Sequence, residues 1–132
     1  MSDYFVSMTF NDQFKGTLET NQASLSIGMD QGDFRPYQLL FGALGSCFYA
    51  TFLSVSKKMR LSFDEAIVTV DGKKRTTIPE TLEVVYLTLT IKGGSDHEKL
   101  KKAAKLGADY CSIHETIKQV ADINLEVILI NE

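Results

Sequence analysis

Leu39–Val55 reads LLFGALGSCFYATFLSV, 17 residues without a charge, and is followed closely by Lys57-Lys58. Pro36 stands just ahead, where the fixed φ of proline suits a first helical turn. A helix from Pro36 to about Met59 is predicted, roughly 36 Å long at 1.5 Å per residue. A bilayer-spanning helix needs about 20 apolar residues. This run is shorter and carries Ser46, Cys47, Tyr49, Thr51 and Ser54, so it reads as a buried central helix. Leu40, Leu44, Cys47, Thr51 and Ser54 fall near one stripe of it. Gly42, Ala43, Gly45, Ser46 and Ala50 are small enough to let another backbone approach, which favours a helix packed on both sides, across a dimer interface.

The rest of the chain must supply what covers that helix. With 132 residues, a single domain spanning residues 1–132 is expected, large enough to bury a core without disulfide staples. Apolar residues make up 44% and charged residues 23%, the balance of a globular protein. A net charge of −3 offers no basic surface for nucleic acid or anionic lipid. Met1–Val6 lacks the basic and long apolar segments of a secretory signal, so a cytoplasmic location is expected. Thiols there are normally reduced, so Cys47 and Cys111 are expected to be free, reactive or metal-binding.

Short strands are predicted over Tyr4–Phe10, Phe14–Thr20 and Ala23–Met29, with Asn11-Asp12 and Asn21 at the turns between them. Asp30–Arg35 reads as a polar loop. Asp64–Val70 and Thr81–Ile91 are rich in β-branched residues, with a turn beginning at Asp71-Gly72 and an exposed connection through Lys73-Lys74-Arg75 and Pro79. After Gly93-Gly94, Ser95 or Asp96 can cap an amphipathic helix that buries Leu100, Ala103, Ala104 and Gly107. A second short helix should run from Cys111 to about Ala121, and Ile123–Ile130 closes the chain as a strand. Three strands, a long helix, two strands, two helices and a strand make an α+β order rather than a regular βαβ alternation.

Cys47 lies in the most apolar helix, and free cysteine is among the residue types most often used as core packing. Cys111 sits at a predicted helix start, where unpaired backbone N–H groups favour a thiolate. His114 and Glu115 follow at helical spacing, and a neighbouring imidazolium would lower a thiol pKa further. A zinc site built from Cys47, Cys111 and His114, with His97 or a carboxylate as fourth ligand, is the alternative. No phosphate loop, HExxH or Gly-x-Ser-x-Gly is present.

Arg35-Pro36-Tyr37-Gln38-Leu39-Leu40 followed by Gly42-Ala43-Leu44-Gly45-Ser46-Cys47 resembles the signature of the OsmC/Ohr family, in which a proline opens a long helix and a cysteine lies about three turns in. Ala108-Asp109-Tyr110-Cys111-Ser112-Ile113 resembles that family's second cysteine motif. The separation of 64 positions and the order of elements agree over nearly the whole chain. The resemblance implies an OsmC-like fold, with antiparallel sheets around a long central helix, in an intertwined homodimer. It also implies reduction of organic hydroperoxides without cofactor or metal. Cys47 would attack the peroxide, Cys111 would resolve the sulfenic acid as a disulfide, and a dithiol reductant, of lipoyl type for instance, would reset the pair.

The chain departs from the family pattern around the expected activator. Tyr37 and Gln38 stand where family members carry a glutamate, and Lys15 is the only cation in Met1–Phe34, where the family's arginine lies. Arg35 is the first substitute as the thiolate's cation. Tyr37 and Gln38 could position substrate through hydrogen bonds, and His114 could tune Cys111. A non-enzymatic alternative keeps the same fold as a binding module for a hydrophobic small molecule.

Overall fold

In the computed structural model, which describes residues 2–131, the chain forms two compact units, residues 1–40 and residues 41–132. The first holds strands β1 (Ser7–Phe10), β2 (Gly16–Glu19) and β3 (Ser24–Ile27). They pair antiparallel in the order β1-β2-β3, with Met8, Leu18 and Leu25 in register. Each strand is shorter than its apolar pattern suggested: β1 keeps its end at Phe10 but starts late, after Ser2 accepts the Tyr4 and Phe5 N–H groups, and side-chain caps hold the turns on either side of β2. Asn11 Oδ1 accepts the N–H groups of Gln13 and Lys15, and Thr20 Oγ1, rather than Asn21, accepts those of Gln22 and Ala23. Phe14 turns the chain with φ 55°.

The polar loop after β3 is an ordered clasp. The Asp33 carboxylate, only 2% exposed, accepts Lys15 Nζ at 2.6 Å and Ser26 Oγ at 2.5 Å. Gly28 leaves the room: a Cβ there would stand 2.5 Å from Asp33 Oδ2.

The long helix α1 spans Pro36–Lys58, within a residue of expectation. Beyond Leu40 it belongs to the second unit, with β4 (Glu65–Lys74), β5 (Leu82–Lys92), α2 (His97–Tyr110), α3 (Ser112–Lys118) and β6 (Asp122–Ile130). β5 is the middle strand and buries Val85, Leu87, Leu89 and Ile91 completely. Against Leu87, Leu89 and Ile91 pack Phe48 and Phe52 of α1, Leu100, Ala103, Ala104 and Ala108 of α2, and Cys111. Two glycines set how closely these layers approach. A Cβ on Gly45 would lie 3.3 Å from the side chains of Val68 and Val70, and one on Gly107 would lie 2.9–3.0 Å from the N, Cα and Cβ of Phe52.

By length and composition α1 could cross a membrane; the complete burial of Leu44, Phe48 and Phe52 makes it a core helix instead. Its buried stripe is Leu44, Gly45, Phe48, Phe52 and Ser56. Of the predicted stripe Leu40, Leu44, Cys47, Thr51 and Ser54, only Leu44 lies on this buried face; Leu40 and Ser54 are exposed, and Cys47 and Thr51 are half-buried. The phenylalanines take the core because an aromatic ring removes far more apolar surface from water than a threonine or cysteine.

Two other expectations need correction. β4 does not turn at Asp71-Gly72 but stays paired with β5 to Lys74, with an irregularity after Lys73. Gly72 fits the strand because a Cβ would come within 2.8 Å of the Val84 carbonyl. The connection lies in residues 75–81, where Arg75 Nε donates to the carbonyls of Thr77 and Pro79. The sheets are also not wholly antiparallel: β5 and β6 run parallel, from Val84↔Asp122 to Lys92↔Ile130. A parallel pair needs a long crossover, which α2 and α3 supply.

Candidate functional site

The two cysteines reach one place by different routes. α1 carries Cys47 next to the buried Phe48, half-buried itself and in contact with the core cluster that contains Cys111. Cys111 stands between two helices. Asp96 caps α2 by accepting the Lys99 N–H at 3.1 Å, while Ser95 pairs with Ser62 across the neighbouring loop. α2 then ends at Tyr110, and Cys111 adopts an extended conformation (φ −78°, ψ 119°) that both ends α2 and caps α3. Its sulfur accepts the His114 N–H at 3.4 Å, the N-cap role usually filled by a hydroxyl or carboxylate oxygen. The residue is 1% exposed.

Cys47 packs against the cluster that contains Cys111, and the groups acting on its thiol, behind burial, are the Cys111 thiol, the backbone of Ile113 and Ser112 and the Ser112 hydroxyl. Burial acts most strongly on Cys47 and opposes ionisation. The hydrogen-bonding interactions from Cys111, Ile113 and Ser112 together outweigh it and hold the thiol below the ordinary cysteine value. Cys111 moves the other way, raised first by burial and then by the neighbouring Cys47 sulfur, against the N–H of His114. The donors of a helix start favoured a thiolate at Cys111, yet that thiol is raised while Cys47 is lowered. The sulfur at the cap is enclosed by the core, whereas Cys47 is only half-buried.

His114 touches this pair through its backbone. Burial, followed by the charge of Lys118, lowers the imidazole pKa against the opposing pull of Asp109 and Glu115. A neutral ring at neutral pH replaces the expected imidazolium. The groups acting most strongly on Cys47 are likewise neutral donors, whereas burial of the thiol had suggested a cation.

Arg35, Tyr37 and Gln38 belong to the first unit. Arg35 is exposed, and its backbone N–H donates to Gln38 Oε1 at 2.9 Å, the reciprocal half of a capping box at the start of α1. Tyr37 is half-buried. Lys15 is engaged by Asp33, whose carboxyl pKa is held down by that bond first and by Ser26 next. Among the described residues no cluster of three or more His, Cys, Asp or Glu side chains is placed to hold a metal, and His97 starts α2 apart from the thiols.

Ser112 and Ile113 are the site residues that sequence reasoning missed. The signal was present in the Cys-Ser dipeptide at a helix start, where a hydroxyl and free N–H groups converge. Its beneficiary was not legible, because the partner sulfur lies 64 positions away.

Comparison with known proteins extends these observations. A family model for OsmC-like protein matches residues 28–126. No curated protein matches the chain by sequence. Among solved structures, a hypothetical protein from Aquifex aeolicus VF5 is similar over 100% of this chain and 99% of its own, with a TM-score of 0.87 at 22% identity. An OsmC-like protein from Mycoplasma pneumoniae gives 0.87 at 19% identity, covering 98% of each chain. An organic hydroperoxide resistance protein OsmC from Legionella pneumophila gives 0.75 at 18% identity, covering 97% of this chain and 99% of its own. Identities this low carry the fold, and the family match carries the lineage: the chain belongs to the OsmC-like protein family.

Proposed function

We propose that the protein reduces organic hydroperoxides with its two cysteines. The observation that carries this reading is the asymmetry of the pair. Cys47 is partly exposed with its pKa lowered, and it faces a buried Cys111 whose pKa is raised. A peroxide needs an accessible thiolate, and a resolving thiol serves best when it is protected and adjacent. The Cys47 thiolate attacks one peroxide oxygen and breaks the O–O bond; the other oxygen leaves as an alcohol after taking a proton. Cys47 is then a sulfenic acid. The Cys111 sulfur displaces its hydroxyl as water, leaving a disulfide. A dithiol supplies two electrons and two protons to restore both thiols.

In this reading Arg35 assists the thiolate, and Tyr37 and Gln38 position the substrate. Gln38 would do so through its amide nitrogen, because its oxygen holds the helix cap. His114 tunes Cys111 through its N–H. The apolar surroundings of Cys47 favour an alkyl hydroperoxide over hydrogen peroxide. The active form is a homodimer in the cytoplasm, with no cofactor. Four exposed large apolar residues near one another in sequence, Phe5, Val6, Met8 and Phe10 of the first unit, support the dimer, since apolar side chains left in water favour association. Structural relatives that are hydroperoxide resistance proteins support the substrate class.

The test is to add tert-butyl or cumene hydroperoxide to reduced protein and count free thiols. Wild type should lose both thiols reversibly, Cys47→Ser should keep Cys111 reduced, and Cys111→Ser should stop at a sulfenic acid that dimedone traps. Intact thiols in wild type beside unconsumed peroxide would overturn the peroxidase and leave a hydrophobic-ligand binding module.

A further inference from the structure

We infer that a reductant resetting the oxidised pair attacks the sulfur of Cys47, and that Cys111 leaves as the thiolate, received by the His114 N–H. This rests on the two-cysteine reading and adds the direction in which the disulfide opens.

A disulfide offers an incoming thiolate two sulfurs, and access decides between them as much as chemistry does. Cys111 is 1% exposed and sits in one cluster with Phe48, Phe52, Leu100, Ala104 and Ala108. Its backbone is tied on both sides. Its N–H donates to the Ala108 carbonyl at 3.3 Å, and its carbonyl accepts the Glu115 N–H at 3.0 Å. Swinging Cys111 outward would break the end of α2 and the start of α3 together. Cys47 is partly exposed on a helix whose next positions toward solvent, Ser46 and Ala50, are open.

Acidity alone would favour the opposite opening, since Cys47 is the more acidic thiol and so the better leaving group; access decides, and the leaving Cys111 sulfur is received by a donor. Attack at Cys47 expels the Cys111 sulfur carrying the electron pair of the broken S–S bond. That sulfur already occupies the position of a helix cap, accepting the His114 N–H at 3.4 Å. Attack at Cys111 would instead join the reductant to a sulfur enclosed by core side chains. The balanced sequence is therefore a mixed disulfide on Cys47 with Cys111 released as thiolate. Cys111 then takes a proton from the second thiol of the dithiol. That second sulfur attacks the reductant's own sulfur, releasing Cys47 and a cyclic disulfide.

The experiment forms the disulfide in two ways, with tert-butyl hydroperoxide and with diamide. A brief pulse of 2-mercaptoethanol, acid quenching and N-ethylmaleimide labelling follow, and the two cysteine peptides are read by mass. The mercaptoethanol adduct should lie on Cys47 and the maleimide on Cys111, by at least tenfold. An adduct on Cys111, or equal amounts on both, overturns the inference. A parallel measurement covers an intermediate too short-lived to trap. Labelling by 5,5′-dithiobis(2-nitrobenzoate) should be at least tenfold faster in folded Cys111→Ser than in folded Cys47→Ser, and equal or reversed rates overturn the inference. A disulfide that forms with diamide but not with peroxide would sink the peroxidase while leaving the direction of opening measurable. A pair that neither oxidant joins would sink both.

Discussion

Replacing Gly107 with alanine tests the packing that brings the two cysteines together. At an unobstructed helical site the change should stabilise by about 1 kcal/mol, through helix propensity alone. Here the added methyl would stand 2.9–3.0 Å from the N, Cα and Cβ of Phe52, against about 3.5–4.0 Å for an ordinary contact. Two of those atoms are backbone, so no rotamer change relieves the clash and α1 must move off α2. Overpacking of this kind costs about 1–3 kcal/mol, so the net effect is a destabilisation of about 1 kcal/mol. With a urea slope of about 2 kcal/mol/M for a chain this size, the midpoint should fall by about 0.5 M. Gly107→Val adds two more carbons with a smaller helical gain and should cost about 2–3 kcal/mol. α1 carries Cys47 and α2 leads into Cys111, so the shift should also slow disulfide formation in the folded protein. Urea denaturation followed by circular dichroism, with thiol counting after oxidation, measures both effects. An unchanged or higher midpoint for Gly107→Ala would mean that the helices are not in backbone contact there, and the argument would fail.

The remaining predictions concern ionisation. Iodoacetamide labelling of Cys47 should rise with pH about a midpoint below the ordinary cysteine value, and Cys111→Ala should move that midpoint up by removing the first of the favourable hydrogen bonds; a midpoint unmoved or lowered by the variant would show that Cys111 does not assist. The His114 ring should titrate below its ordinary value by NMR, and Lys118→Gln should raise it by removing the charge that acts next after burial. Because the folded protein resists protonating His114, the unfolded chain binds more protons just below pH ~6.5, so stability should fall as pH drops through that range. His114→Gln should weaken the dependence, and an equally steep dependence in that variant would assign it elsewhere.

Much of the fold was legible because local chemistry and tertiary packing agree. Pro36 and Lys57-Lys58 bracket α1, and Asp96 caps α2. Where the two conflict, local chemistry misleads. Asp71-Gly72 has the composition of a turn, yet β4 passes through it, because the sheet needs a residue without a side chain opposite the Val84 carbonyl. The parallel pairing of β5 and β6 was hidden for another reason: strand direction leaves no mark on an apolar pattern, only on how the connection is routed. The site was legible as two sulfur atoms and not as a charge distribution. The helix start at Cys111 argued, on local grounds alone, for the lower pKa there. The ordering reverses because burial, set by residues as remote as Phe48 and Leu100, outweighs the local donors at Cys111 but not those acting on Cys47.

The different exposures of the two sulfurs follow from helical geometry. Leu44, Phe48 and Phe52 repeat every four residues along the buried face of α1, and Ser46, Ala50 and Ser54 repeat along the open face. Successive residues turn by about 100°, so position 47 lies between these rows, as does Thr51, and both are half-buried. A cysteine at position 48 would be sealed beneath the helix, and one at position 46 would face away from the core cluster that holds Cys111. Position 47 can touch that cluster and solvent together. Cys111 has no such boundary, because a cap wedged between α2 and α3, with Ala108 before it and Ile117 after it in the core, is enclosed from both directions. Moving either cysteine by one residue would separate accessibility from proximity, and the chemistry proposed for the pair requires both.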